Sequence, residues 1–184
     1  MAYLRGRNIL VYRLSALGDV AMTVPAVYSV ARAYPEHSFY MVTSATCKQL
    51  FVAPPANLVV YGVESPVSTI RLLKQLNSLP IDMVADLHNV FRSWVVGTLF
   101  LMKGKKVRML DKERGKRGAI LGEEKATATP FIQRYFDVFR RLGLPCEPTF
   151  TSLFAAKPPL PLNLRKTIVG NGSERCNGQW IGIA

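Results

Sequence analysis

Asn8-Ile9-Leu10-Val11-Tyr12-Arg13-Leu14-Ser15-Ala16-Leu17-Gly18-Asp19-Val20 is the stretch whose reading decides the fold. The unbroken apolar run over residues 9–12 predicts a short buried strand. A polar turn follows at residues 15–19. Val20, Val24, Val27, Val30 and Ala31 then recur at helical spacing to about Tyr34, where Pro35 stops the helix. Pro25 is placed in the first turns, where its missing amide costs least. A strand, a tight corner and a helix form the opening of a β-α-β unit.

The same alternation continues outward. Strands are predicted at residues 39–43, 58–61, 81–87 and 107–110, with helices at 47–52, 70–79, 91–102 and 131–142. Pro80 ends the 70–79 helix, and Gly143 with Pro145 ends the last. Strands alternating with helices at this spacing predict an α/β protein with a Rossmann-like, doubly wound parallel sheet. Right-handed crossovers bring the C-terminal ends of the strands to one edge, where ligands of such sheets bind. Residues 158–161 read as an extended proline linker. Residues 180–184 read as the start of another buried strand. The expected organisation is a domain over residues 1–157, then a linker and the first strand of a second domain over 158–184.

Composition bounds the function. The 184 residues are 49% hydrophobic and 20% charged, the balance of a globular domain. Twenty-four Lys and Arg against twelve Asp and Glu leave a net charge of +12, which favours polyanionic partners: nucleic acid, phosphorylated glycolipid or an anionic membrane. Cys47, Cys146 and Cys176 are sparse and form no metal or redox motif, so they are read as reduced thiols. Arg5 and Arg7 precede an apolar stretch too short for a signal core, and no window is long enough to span a bilayer.

Chemistry concentrates in the first corner. Gly18 lets backbone approach a ligand with no Cβ in the way. Asp19 opens the helix at the ligand edge, where a carboxylate is favoured by the helix dipole and can take a proton from an attacking hydroxyl. The plain alternative is that Ser15 or Asp19 caps the helix. Neither the GxGxxG dinucleotide fingerprint nor the GxxxxGK[ST] phosphate loop is present.

Strand-Arg13-Leu14-Ser15-Ala16-Leu17-Gly18-Asp19-helix, with Pro25 shortly after, resembles the opening of glycosyltransferase family 9, the ADP-heptose:lipopolysaccharide heptosyltransferases. Asp86-Leu87-His88-Asn89-Val90-Phe91-Arg92-Ser93 is similar to that family's fourth-strand motif. Gln133-Arg134-Tyr135-Phe136-Asp137 running to Leu142-Gly143-Leu144-Pro145 is similar to its late helix, and Trp180-Ile181-Gly182-Ile183-Ala184 to the first strand of its second domain. The resemblance implies the N-terminal, acceptor-binding half of a GT-B glycosyltransferase that moves heptose from ADP-heptose to the lipopolysaccharide inner core. It implies Asp19 as general base, inversion at the anomeric carbon, and no metal or cofactor. ADP-heptose is the donor substrate, bound mainly by the other half, so the 184 residues alone are expected to be inactive.

The acceptor-binding residues so implied are Ser15, Gly18, Arg92, Arg134, and Arg114 or Arg117 in the basic loop. Between residues 103 and 118 that loop carries eight basic residues and two acids. Arginine forks bind carboxylate and phosphate bidentately, which suits Kdo carboxylates and lipid A phosphates. A solvated loop, or one drawn to the anionic inner leaflet, fits the same charges. The implied partners are a Kdo-lipid A or heptosylated core acceptor and the anionic inner membrane surface, with a cytoplasmic, peripheral location and no nucleic acid. His88 and the aromatic residues Phe131, Tyr135, Phe136 and Phe139 are read as structural. The chain departs from the family pattern at Pro130, where a histidine is common, and lacks doubled arginines after the third strand, which leaves another sugar or acceptor open. Two rivals remain: a basic nucleic-acid-binding module, which would need interleaved aromatics, and a dinucleotide-binding oxidoreductase domain, which would need the absent glycine fingerprint.

Overall fold

The computed structural model describes residues 6–64, 80–112 and 129–151. All of them fall in the compact unit Met1–Leu153. The expected 70–79 helix, the 113–118 part of the basic loop, and the linker and strand over 158–184 lie outside the described residues.

Five strands form one parallel sheet: β1 (Asn8–Tyr12), β2 (Ser38–Ser44), β3 (Leu58–Val63), β4 (Ile81–Asp86) and β5 (Lys106–Met109), in the order β3-β2-β1-β4-β5. The described helices are α1 (Leu17–Ala33), α2 (Ala45–Lys48), α3 (Phe91–Met102) and α4 (Phe131–Leu142). This is the doubly wound sheet predicted by the alternation. Strand order runs outward from β1 to β3 on one side and from β4 to β5 on the other, so the topological switch lies between β1 and β4. In register, Tyr12 pairs Val42 on one side and Asp86 on the other, and Asp86 pairs Met109, so all four strand ends reach the same edge.

β1 is apolar from Ile9 to Tyr12 because both its faces are covered there. Ile9 and Val11 point into a core with Val20, Val24 and Val27 of α1 and Tyr135, Phe139 and Leu142 of α4. Leu10 and Tyr12 point the other way, against Val84, Val107, and Val96 and Phe100 of α3. Gly97 of α3 is part of that second contact: a Cβ there would lie 3.2 Å from Met109 Cε, so a larger residue requires that side-chain end to give by a few tenths of an ångström.

Several element details differ from expectation. α1 begins at Leu17, three residues before its apolar periodicity, so the corner is tighter than predicted. Pro25 therefore lies in the middle of a 17-residue helix, not in its first turns. α2 is a single turn capped by Ser44, whose Oγ accepts from the Cys47 amide at 3.2 Å. α4 matches its prediction and ends in a left-handed Gly143 (φ 93°), with Lys106 Nζ donating to the Leu142 carbonyl at 2.6 Å.

Candidate active site at the switch point

A cavity of about 400 Å³ opens at the carboxyl edge of the sheet, over the β1/β4 switch. Arg13, Ser15, Ala16 and Asp19 line it from the first corner, His88 and Val90 from the loop after β4, Leu110 and Lys112 from the end of β5, and Phe131 from the start of α4. A larger hollow of about 900 Å³, lined by Arg7, Glu36, Asp82 and Lys106 among others, sits at the opposite, amino-terminal edge. Size alone favours the second. Topology favours the first, because ligands of open parallel sheets bind beyond the strand carboxyl ends, where loops and helix N-termini converge.

Arg13 organises the first corner. Its side chain is only 5% exposed, and a buried guanidinium must be matched by acceptors. Nη1 donates to the Leu87 carbonyl on the β4 loop, and Nη2 pairs with Asp19 Oδ2 at 2.5 Å. The guanidinium carbon also lies 5.7 Å from the centroid of the Tyr135 ring. One cation thus ties β1, the loop after β4, α1 and α4 together around the carboxylate. Asp19 keeps 38% of its side chain exposed to the cavity. It is not sealed in the core, nor turned from the carboxyl edge.

The capping alternative fails on geometry. The residue before α1 is Ala16, with no side-chain cap, and neither Ser15 nor Asp19 closes the helix amides. Asp19 sits in the first turn, where the helix dipole favours a negative charge. Gly18 is exposed in helical conformation, and a Cβ built on it meets nothing within 4 Å. No feature of the described residues requires a glycine at that point. Tyr135, buried as its helical spacing predicts, reaches the backbone of the same turn: its hydroxyl donates to the Asp19 carbonyl at 3.4 Å. Burial raises the Tyr135 pKa, with Arg13 opposing, so this phenol stays a proton donor.

The second wall is built on a buried acid. Asp86, 1% exposed, accepts from the amides of His88 and Asn89, both at 2.9 Å, and from the Ser93 hydroxyl at 2.6 Å. Asn89 turns the chain with a positive φ of 47°, a conformation asparagine tolerates better than most residues. Its amide nitrogen donates to the Leu110 carbonyl at 2.5 Å, and Trp94 Nε1 donates to its oxygen at 2.6 Å. Asp86 and Asn89 are thereby spent on shaping the loop. His88, which this loop presents to the cavity, has its pKa lowered by burial and then by the Arg13 charge, with Asp86 acting in the opposite direction. Its Nδ1 is buried and has no hydrogen-bond partner among the described residues.

The predicted acceptor residues divide. Ser15 and Asp19 line the cavity, and Gly18 lies beside Asp19 on the open first turn of α1. Arg92 belongs to α3, but its side chain lies outside the described residues, as do Arg114 and Arg117 entirely. Arg134 is not among the residues lining this cavity: it is buried, its Nε donates to the Thr129 carbonyl at 2.8 Å, and its guanidinium stacks 4.7 Å from the Phe131 ring centroid. By holding Phe131 it shapes the cavity indirectly. Phe131 itself was expected in the core and instead lines the opening. Three polar cavity residues were missed, Arg13, Lys112 and His88, the last read as structural. An arginine ending an apolar strand is the signal for the first. Lys112 carries none that separates it from its basic neighbours. Among the described residues no three His, Cys, Asp or Glu side chains cluster to hold a metal ion.

No sequence-family model and no curated protein matches the chain. Solved structures do. The glycosyl transferase family 9 structure from Veillonella parvula DSM 2008 superposes with a TM-score of 0.53 and 19% identity, covering 75% of this chain and 41% of that one. E. coli heptosyltransferase WaaC with ADP superposes with a TM-score of 0.52 and 18% identity, covering 79% of this chain and 50% of that one. The same enzyme with ADP-2-deoxy-2-fluoro heptose gives 0.50 and 18% over a similar span. The chain covers about half the length of the structures it matches or less, and what it shares with them is a fold. In structure, then, the described sheet and its helices match family 9 heptosyltransferases as one Rossmann-like half of the GT-B architecture.

Proposed function

We propose that this chain is the acceptor-binding half of an inverting heptosyltransferase, with Asp19 as the general base. The observation that carries the reading is a half-exposed carboxylate at the sheet's switch point, clamped by a buried arginine and facing an open cavity. With Oδ2 held by Arg13, Oδ1 is the atom that takes the proton from an acceptor hydroxyl. The deprotonated oxygen attacks the anomeric carbon of ADP-heptose, the bond to the diphosphate breaks with inversion, and ADP departs. The clamp supplies orientation, since a positioned base gains its rate from geometry before acidity. Ser15 and the backbone at Gly18 lie where the acceptor sugar would meet Asp19. Lys112, with Arg114 and Arg117 farther along the same loop, supplies positive charge for Kdo carboxylates and phosphates. The donor is held by the complementary lobe of the bilobed enzyme, facing this carboxyl edge.

The test is calorimetric and kinetic. The 184-residue chain should bind O-deacylated Kdo-lipid A yet transfer no sugar alone. In the two-lobed enzyme, Asp19→Asn should cut turnover from ADP-heptose by ~100-fold or more while acceptor binding persists. Turnover by the isolated chain, or near-normal turnover by the variant, rejects the assignment.

A further inference from the structure

We propose that His88 is an acceptor-binding residue: its Nε2–H donates to the oxygen next to the hydroxyl that Asp19 deprotonates, so the site takes acceptors with two adjacent oxygens. This deepens the proposed function and rests on it. The fold treats the backbone and the side chain of this residue differently. The His88 amide donates to Asp86 Oδ1 at 2.9 Å. Just before it, the Leu87 amide donates to the Tyr12 carbonyl at 3.0 Å, and the Leu87 carbonyl accepts from Arg13 Nη1. Just after it, Asp86 holds the Asn89 amide, and Leu110 and Trp94 hold the Asn89 side chain. Three consecutive residues are thus fixed at the carboxyl edge of the sheet. The imidazole they present is half-buried, lines the cavity with Asp19, and makes no hydrogen bond to any described residue.

Burial decides which ring atom a ligand meets. Nδ1 is buried with no hydrogen-bond partner among the described residues, so Nε2 is the nitrogen left for the cavity. A neutral imidazole carries one proton. On Nδ1 that proton would make an orphaned buried donor, a rarer defect than an idle acceptor. On Nε2 it gives the cavity a donor. A second proton is opposed by burial and then by the Arg13 charge; Lys112 acts the same way, and Asp86 and Asp19 act against them. Neutrality matters beside a general base. An imidazolium would pair with the Asp19 carboxylate and blunt it. A neutral Nε2–H binds an oxygen and leaves Asp19 Oδ1 to the reacting hydroxyl.

The two walls set the ligand chemistry. Asp19 comes from the first corner and His88 from the loop after β4, and one cavity of about 400 Å³ joins them across the switch point. That volume is near the small end for ligand sites. A sugar that offers one hydroxyl to Asp19 therefore keeps the adjacent oxygen within the same enclosure. Adjacent oxygens are what a sugar ring supplies and an isolated alcohol does not.

Calorimetry on the 184-residue chain with O-deacylated Kdo-lipid A reads the contact. His88→Ala should weaken binding roughly three- to tenfold, the worth of one neutral hydrogen bond, without lowering the thermal midpoint. His88→Gln should restore most of the affinity, because its amide nitrogen reaches the place of Nε2. His88→Asn, whose amide reaches only the place of Nδ1, should not. In the two-lobed enzyme the acceptor KM should rise by the same factor in His88→Ala with kcat unchanged. Acceptor analogues with hydrogen in place of the hydroxyl on either carbon flanking the reactive one complete the set. With one of them, wild type and His88→Ala should bind alike, since the contact is already gone. Unchanged affinity in His88→Ala, equal rescue by Gln and Asn, a loss confined to kcat, or the same loss with every analogue would overturn the proposal. So would a ¹⁵N spectrum of the free chain with the proton on Nδ1, or one in which the His88 signals do not move on titration with acceptor. Asp19→Asn reads the other claim: if its turnover collapses while the His88 variants match wild type, only the His88 contact fails.

Discussion

Gly18→Ala separates a glycine kept for the fold from one kept for a ligand. Gly18 lies in the first turn of α1 with no left-handed φ, it is exposed, and the added Cβ meets no atom within 4 Å. The folded chain therefore accepts alanine without strain, and the unfolded chain loses backbone freedom. Substitutions of this kind stabilise by about 0.4–1 kcal/mol. In a chain of this size that is a rise of roughly 2 °C in the thermal midpoint. If an acceptor sugar packs against the backbone beside Asp19, the same methyl group intrudes on it. Overpacking costs about 1–3 kcal/mol, so affinity should fall by a factor of roughly 5–150 at ~1.4 kcal/mol per decade. Calorimetric melting gives the first number, and titration with O-deacylated Kdo-lipid A the second. Opposite signs are expected: a more stable protein that binds less well. A raised midpoint with unchanged affinity and turnover would refute the claim that the acceptor approaches at Gly18. A lowered midpoint would refute the open geometry itself.

Three further outcomes follow from the same site. Arg13→Met removes the clamp on Asp19 and leaves the Leu87 carbonyl without its donor; chemical denaturation should show a loss of about 1–3 kcal/mol, and turnover should fall with little change in KM. Asp86→Ala strips the acceptor from two loop amides and Ser93, which should cost at least ~2 kcal/mol in the same assay; Asp86→Asn, which can keep one carbonyl oxygen, should cost less. The lowered His88 pKa gives a signed pH dependence. As pH falls below about 6.5 the unfolded chain takes up a proton that folded His88 resists, so stability declines until the lower folded pKa is reached and then levels off. Stability curves between pH 7.5 and 4.5 should show this decline reduced in His88→Gln; parallel curves for the two proteins would refute it.

Periodicity exposed the fold because each element repeats one local rule. The alternation of apolar strands with 3.6-residue helices is written in residues such as Ile9–Val11 and Val20–Val24–Val27, and the helices α3 and α4 start and stop where the pattern does. Boundaries failed where function or topology intervenes. Leu17, Gly18 and Asp19 belong to α1 but break its apolar repeat, because that turn faces the cavity and not the core. Pro25 looked like an early-turn residue only because the helix start was placed too late. Phe131 and Arg134, three residues apart on one helix face, show why spacing alone does not assign burial: the arginine is buried with its Nε on the Thr129 carbonyl, and the phenylalanine it stacks on lines the cavity.

The site was half legible for a physical reason. Asp19 could be found because its chemistry lies within one corner: a glycine, a carboxylate and a helix start in consecutive positions. Arg13 is marked only as an arginine ending an apolar strand; what makes it part of the site is the Leu87 carbonyl, 74 residues away, and no local pattern encodes that bond. Yet the two residues make sense only together. A carboxylate on an open helix turn samples several rotamers and is oriented mainly by water. A guanidinium buried at the end of β1 is untenable without acceptors. Joined across the switch point, each removes the other's defect, and the pair places one carboxylate oxygen toward the cavity. The strand order makes this possible by setting β1 beside β4, so that the first corner and the β4 loop share an edge. The general base proposed here is therefore a property of the sheet's topology as much as of the aspartate.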